Sequence, residues 1–257
     1  MFESLPAREG TVKQAGGAAR KYLLYVIGEI LLVMIGILLA LQANNWNQSR
    51  IEKKQSAQVL LSIKEELQEN LAILETCLQN TDRRRSDLDV VRSFIGEKNI
   101  PIDVDSLNLL LGKGMGDIVT CHLSTDVVSD AKNSGIFIKI LSQELRVLIS
   151  RWARQLDLLK SEENSWSNQF VNEILPFTYD KIAWNDVDYL IKLSESGKID
   201  QRFFRSKFAV DPRDHMHTLK FENLAAIQYW RMWKYQAILQ HIKLETQDLI
   251  SAIEAEK

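Results

Sequence analysis

The chain has 257 residues, with 32 Lys/Arg against 34 Asp/Glu and a formal net charge of −2. That balance lacks the basic surplus of a dedicated nucleic-acid binder, and 46% apolar with 26% charged residues excludes wholesale disorder. Four Pro, eleven Gly and two Cys argue against a turn-rich β architecture, a disulfide-dense scaffold and a four-Cys zinc site, and point to long helices.

Residues 1–21 read as a polar N-terminal tail, 22–43 as a transmembrane helix and 44–257 as an α-helical extramembrane bundle. The stretch Tyr22–Ala43 holds one charged group, Glu29, and one late amide, Gln42. As a helix it is about 33 Å long, enough to cross a hydrocarbon core of about 30 Å. Arg20, Lys21, Tyr22 and Tyr25 anchor one end, and Trp46 among three Asn anchors the other. A buried core helix would be shorter. A cleavable signal peptide is disfavoured by the poor site at Leu41-Gln42-Ala43 and by the length of the apolar run. Arg8, Lys13, Arg20 and Lys21 precede the span, against Arg50, Lys53 and Lys54 after it. The excess predicts a cytoplasmic N-terminus and an extracytoplasmic C-terminal domain.

Glu29 near mid-membrane costs about 3 kcal/mol unless it is neutralised, snorkels or is partnered. Helical spacing puts Glu29, Gly36, Ala40 and Ala43 on one face, with Gly36 and Ala40 in small-xxx-small register. That face predicts a helix–helix contact in lipid. The alternative is a solitary helix with a neutral or snorkelled Glu29.

The same stretch carries a resemblance. Lys21-Tyr22, Tyr25, Gly28-Glu29-Ile30, Leu32-Val33, Ile35-Gly36-Ile37, Ala40-Leu41-Gln42 and Asn44-Asn45-Trp46-Asn47 are similar to the signature K-Y-x-x-Y-x-x-G-E-I-x-L-V-x-I-G-I-x-x-A-L-Q-x-N-N-W-N. That signature marks a family of bacterial single-pass membrane proteins catalogued as a domain of unknown function. A looser likeness covers Asn133-Ser134-Gly135, Leu141, Glu144-Leu145-Arg146 and Ile149. The tail MFESLPAREGTVKQAGGAAR departs from the short basic helix with which members often begin. The resemblance implies a helical protein anchored in the bacterial inner (cytoplasmic) membrane, with no known activity.

After Trp46 no Gly or Pro occurs until Gly96. Leu60, Leu67, Leu74, Thr81 and Leu88 alternate with Ile63, Asn70, Cys77, Arg84 and Val91 in heptad register. This predicts a coiled coil or a long bundle helix, its seam covered by later helices of the same chain. Asn70 and Arg84 interrupt the seam and suit register-setting. Glu65, Glu66 and Glu69 are expected in solvent. Asp103 or Asp105 should cap a short helix, and Gly112-Lys113-Gly114-Met115-Gly116 should form a helix stop and flexible loop. The run lacks the GK[ST] ending of a phosphate cradle. Thr125 and Ser142 should cap the next two helices, the first stopping at Gly135 and the second running towards Pro176. A helix near Val187–Ser196 should end at Gly197. Phe203, Phe204 and Phe208 should then pack. A last long helix from about Asp214 to Glu254 should pair antiparallel with the first.

Chemistry is sparse. His215 and His217 are two apart and do not share a helix face, so a zinc site there would need a loop and further ligands. Cys121-His122 are adjacent and cannot readily act as nucleophile and base. Cys77 reads as a small buried group, and a Cys77–Cys121 disulfide is open in an oxidising compartment. Arg83-Arg84-Arg85 reads as a solvated helix surface. Tyr229, Trp230, Trp233 and Tyr235 form an aromatic cluster, either core or a contact surface.

The expectation is an all-α, non-enzymatic membrane interaction or scaffold protein without cofactor or metal. It would associate with itself or a membrane-protein partner and bind no nucleic acid. The alternative is a ligand-binding sensory or regulatory ectodomain, with an enzyme last.

Overall fold

The computed structural model describes residues 13–116, 120–135, 137, 142–199 and 202–256. Arg8 of the tail and Leu141 of the looser likeness lie outside them. The protein is all-α, with no strand among the described residues. Its elements are α1 (Lys13–Ser93), α2 (Val104–Met115), α3 (Asp126–Asn133), α4 (Gln143–Gln169), α5 (Leu175–Thr178), α6 (Trp184–Ser196) and α7 (Leu219–Ala255). The chain divides into two units, Met1–Ala57 and Gln58–Lys257, and α1 contributes to both.

In the first unit the helix is exposed on nearly all sides from Arg20 onward, with Val26 and Ser56 half-buried. Among the described residues, α1 is the one helix long and apolar enough to cross a membrane.

The second unit is a bundle whose core runs along α1, α4 and α7. Along α1, Ile63, Leu67, Asn70, Leu74, Leu88 and Val91 are inaccessible, with Leu60 and Arg84 half-buried. Antiparallel pairing with α7 is recorded by contacts in reversed order. Lys64 meets Glu254, Glu75 meets Lys243, Arg85 meets Gln236, and the Arg92 guanidinium lies over the Tyr229 ring. Helix α4 also runs antiparallel to α7. Trp152 Nε1 donates to Thr246 Oγ1 at 3.0 Å, and Trp166 Nε1 donates to Gln228 Oε1 at 2.9 Å.

Local chemistry sets the helix ends. Asp103 accepts from Ser106 N–H and caps α2, and Ser142 accepts from Leu145 N–H and caps α4. Gly96, Gly135 and Gly197 take positive φ just past α1, α3 and α6, where a left-handed residue ends a helix without a Cβ penalty. Helix α4 passes through a π-helical turn, Phe170–Ile174, into α5, whose first turn carries Pro176. Helix α7 starts at Leu219 behind a Thr218 cap, a few residues later than the periodicity suggests. The stretch Pro212–His215 forms its own 3-10 turn.

Three expectations are corrected. The Gly112–Gly116 run is not a flexible loop. Its first four residues lie inside α2, where the missing side chains permit close packing. A Cβ on Gly112 would stand 2.1 Å from Val187 Cγ1 of α6, and one on Gly114 would stand 3.0 Å from the Leu88 backbone of α1. Glu66 is not solvated but buried. Phe204 and Phe208 are exposed, not packed.

Candidate membrane and bundle contact sites

On the first unit, Glu29, Gly36, Ala40 and Ala43 are all exposed on the helix surface. Apart from the adjoining backbone of its own helix, nothing lies within 4 Å of where a Gly36 Cβ would stand. Glu29 borders a shallow notch with Val26, Ile30 and Val33, one turn apart along the same face. This face is a carboxylate followed by open, small-residue surface that the described residues leave exposed.

On the second unit, three seam positions that are not aliphatic, Asn70, Cys77 and Arg84, share a role. Each holds one point of the connection between α2 and α3. Arg84 Nη2 donates to the Gly116 carbonyl at 3.0 Å. Cys77 is disulfide-bonded to Cys121, their Cα atoms 5.9 Å apart. The Asn70 amide bonds both ways with the Ser124 backbone, Nδ2 to O and N–H to Oδ1, each at 2.8 Å. Glu66, one turn earlier, accepts from Ser124 Oγ at 2.6 Å, Val127 N–H at 3.0 Å and Val128 N–H at 3.2 Å. Gly116, Cys121, Ser124 and Val127–Val128 therefore meet α1 in reverse order, at four levels.

Glu66 does what a helix cap does, from another helix. Thr125 sits at the N-cap position of α3 but its side chain makes no cap hydrogen bond. The Glu66 carboxylate takes the first free N–H groups, where the positive end of the helix favours an anion. The sequence signal was the i, i+4 pair Glu66 and Asn70 at the seam's edge. Read by periodicity alone, Glu66 falls just outside the stripe.

A second polar junction lies between α4 and α7. Glu163 Oε1 accepts from Cys121 N–H at 2.8 Å and from Tyr235 Oη at 2.6 Å. Burial first, and then the Glu163 carboxylate, push the Tyr235 hydroxyl far above its ordinary value, so it stays a donor. Glu162, on the next residue, is buried between Arg231 and Lys234. The Gly116 carbonyl takes a second hydrogen bond from Gln228 Nε2. Trp166, Gln228, Gly116 and Arg84 thus link four helices through buried polar groups.

A half-open groove of about 690 Å³ lies beside this junction. Its α4 wall presents Asp157, Lys160, Asn164 and Ser167, and its other wall presents Thr120, Cys121 and His122. His122 Nε2 is 2.9 Å from Thr120 Oγ1. His215 and His217 flank Met216, which is fully buried. Among the described residues, no group of three or more His, Cys, Asp or Glu gathers in metal-binding geometry.

The basic and aromatic runs divide by face. Arg84 turns inward, Arg85 pairs with Asp82 and Gln236, and Arg83 is exposed. Tyr235 is core, in edge contact with Trp166, and Tyr229 is half-buried under Arg92. Trp230 and Trp233 each expose 56% of their surface.

Together these features define a class: an all-α protein in which one helix of membrane-crossing length leads into a disulfide-bonded bundle. Residues 29–106, under half of the chain, match a family described as a family of unknown function (DUF6090). The chain is similar to that family from Glu29 of the membrane-length segment to Ser106 of α2. No curated protein and no solved structure matches it.

Proposed function

We propose that this is a single-pass interaction protein of the bacterial cytoplasmic membrane, non-enzymatic, which associates with itself or with a membrane-protein partner. The observation that carries the reading is the bare face of Glu29, Gly36, Ala40 and Ala43. Within a bilayer, a carboxylate beside small residues is stabilised by a neighbouring helix that approaches closely and satisfies it. The Cys77–Cys121 disulfide supports an extracytoplasmic location for residues 44–257, because such bonds persist in oxidising compartments. The excess of basic residues before the span supports the same orientation.

Glu29→Leu tests the reading. The variant should lower the mass of the complex extracted in mild detergent without changing the melting of the second unit. An unchanged mass would remove the Glu29 contact. A second reading, a ligand-binding regulatory ectodomain, is favoured by the groove between α4 and residues 120–125. It requires melting of the bundle to shift upward with a small polar ligand, and Lys160→Ala to abolish the shift.

A further inference from the structure

Helix α7 carries two stripes. The inner one, with Leu224, Met232, Leu239 and Leu249, packs on α1 and α4 and is consumed by the core. The outer one is made of Leu219, Ala226, Trp230, Trp233, Ala237 and Leu244, all exposed. Leu219 and Leu244 expose 71% and 58% of their surface. With Asn223 and Gln240, also exposed, these residues fall at successive spacings of three and four. That is the a/d register of a two-helix seam, held over more than three heptads with no formal charge in it.

We propose that a second copy of this chain packs on the outer stripe, α7 against α7. The inference rests on the reading above, that the protein self-associates, and names the extramembrane surface that would do it. Two observations choose a second copy over an unrelated partner. The stripe reads nearly the same in both directions: Leu, Asn, Ala, Trp, then Trp, Ala, Gln, Leu. A twofold contact must be self-complementary, each layer meeting its own counterpart. Laid antiparallel about a point between Arg231 and Met232, the stripe stacks Leu219 on Leu244, Ala226 on Ala237 and Trp230 on Trp233. Laid parallel, every layer meets itself. The second observation is area. The two indoles alone expose on the order of 280 Å². Adding the leucine and alanine layers, along about 38 Å of helix, brings the surface to roughly 600 Å², the lower end of what each partner of a specific dimer buries.

Cysteine cross-linking of the full-length protein in mild detergent tests this. The two native cysteines are bonded to each other, so an introduced thiol is the free one. Ala237→Cys alone reports a parallel pair, and Ala226→Cys mixed with Ala237→Cys reports an antiparallel pair. A covalent dimer in at least half of the chains is expected from one of the two. Adding Trp230→Ala and Trp233→Ala should cut that yield at least tenfold with melting unchanged, because both rings lie outside the core. Gly36→Cys is run alongside. A dimer through Gly36→Cys with none through α7 overturns the α7 contact and leaves membrane association standing. A dimer through α7 alone supports the proposal and removes the in-membrane contact. No dimer at any site removes both.

Discussion

Gly112→Ala is a sharp test of the packing between α2 and α6, because two opposing effects of known size act at one atom. Replacing a helical glycine by alanine ordinarily stabilises by up to about 1 kcal/mol, less near a helix end, and Gly112 is three residues before the end of α2. The added methyl would lie 2.1 Å from Val187 Cγ1 and 3.3 Å from Ile191 Cδ1. Carbon atoms in contact prefer about 3.5–4.0 Å, so the helices must part by more than 1 Å or Val187 must leave its rotamer. Val187 is fully buried and has nowhere to turn. Overpacking of this kind costs about 1–3 kcal/mol. The clash therefore wins by about 1–2 kcal/mol, or roughly 2–8 °C in melting temperature for a unit of this size. Urea unfolding of the full-length protein in mild detergent, followed by helical circular dichroism, measures it. Val187→Ala removes the atom that the methyl meets. The double variant should therefore be more stable than the sum of the singles predicts, by about 1 kcal/mol or more. A neutral or stabilising Gly112→Ala, or additivity within about 0.5 kcal/mol, would refute the argument.

Glu66→Ala should destabilise the second unit by about 2–4 kcal/mol, since it removes the acceptor of Ser124 Oγ, of the part-buried Val127 N–H and of the buried Val128 N–H, and should speed hydrogen exchange at Val127 and Val128. Reduction of Cys77–Cys121, 44 residues apart, should cost up to about 4 kcal/mol by loop-closure entropy, seen as a lower urea midpoint with reductant. Hydrogen bonds from Ser106 hold the Asp103 carboxyl below its usual 3.8, and hydrogen bonding to Arg213 does the same for Asp211. Both groups have folded values under their unfolded ones. They contribute stability that is complete above about pH 4 and lost as pH falls through the folded values, and Asp103→Asn, which keeps the cap but cannot titrate, should flatten that acid limb.

What was legible in the sequence follows from what repeats. The membrane-length segment shows as an unbroken apolar run, and α1 and α7 show as long periodic stripes. The caps at Asp103 and Ser142 and the stop at Gly197 show because each depends on a residue type at one local position. Beyond the antiparallel pairing of the two long helices and the open Cys77–Cys121 bond, contacts between distant segments were not legible. Glu66 lies one position outside the apolar stripe of α1, and its burial depends on donors more than fifty residues away. The glycines of α2 read as a loop because glycine breaks isolated helices. In the bundle the same absence of a side chain lets α2 approach Leu88 and Val187. The aromatic cluster could not be divided before the neighbours of α7 were known: Tyr235 faces α4, and Trp230 and Trp233 face away.

The polar interruptions of α1 bear on where a partner can sit. Asn or Arg at a seam position often fixes the pairing of two chains. Here those groups are spent within the chain. Asn70 has both amide atoms on Ser124, the Arg84 guanidinium is bonded to Gly116, and Glu66 is bonded to three donors of the α3 start. A partner helix laid on α1 would have to displace the 116–128 connection together with its disulfide. The α1 seam is thus a device for fixing the bundle's own topology. The described residues leave exposed, among other apolar surface, the membrane-length segment with Glu29 and the outer stripe of α7. In a bilayer, lipid would satisfy most of the first and none of its carboxylate. Water satisfies the Asn223 and Gln240 layers of the second; the Lys234 ammonium lies 5.7 Å from the centroid of the Trp230 ring, and the rest of the exposed indole surface faces water. Those two residual mismatches, one in each unit, are where association would lower the free energy most.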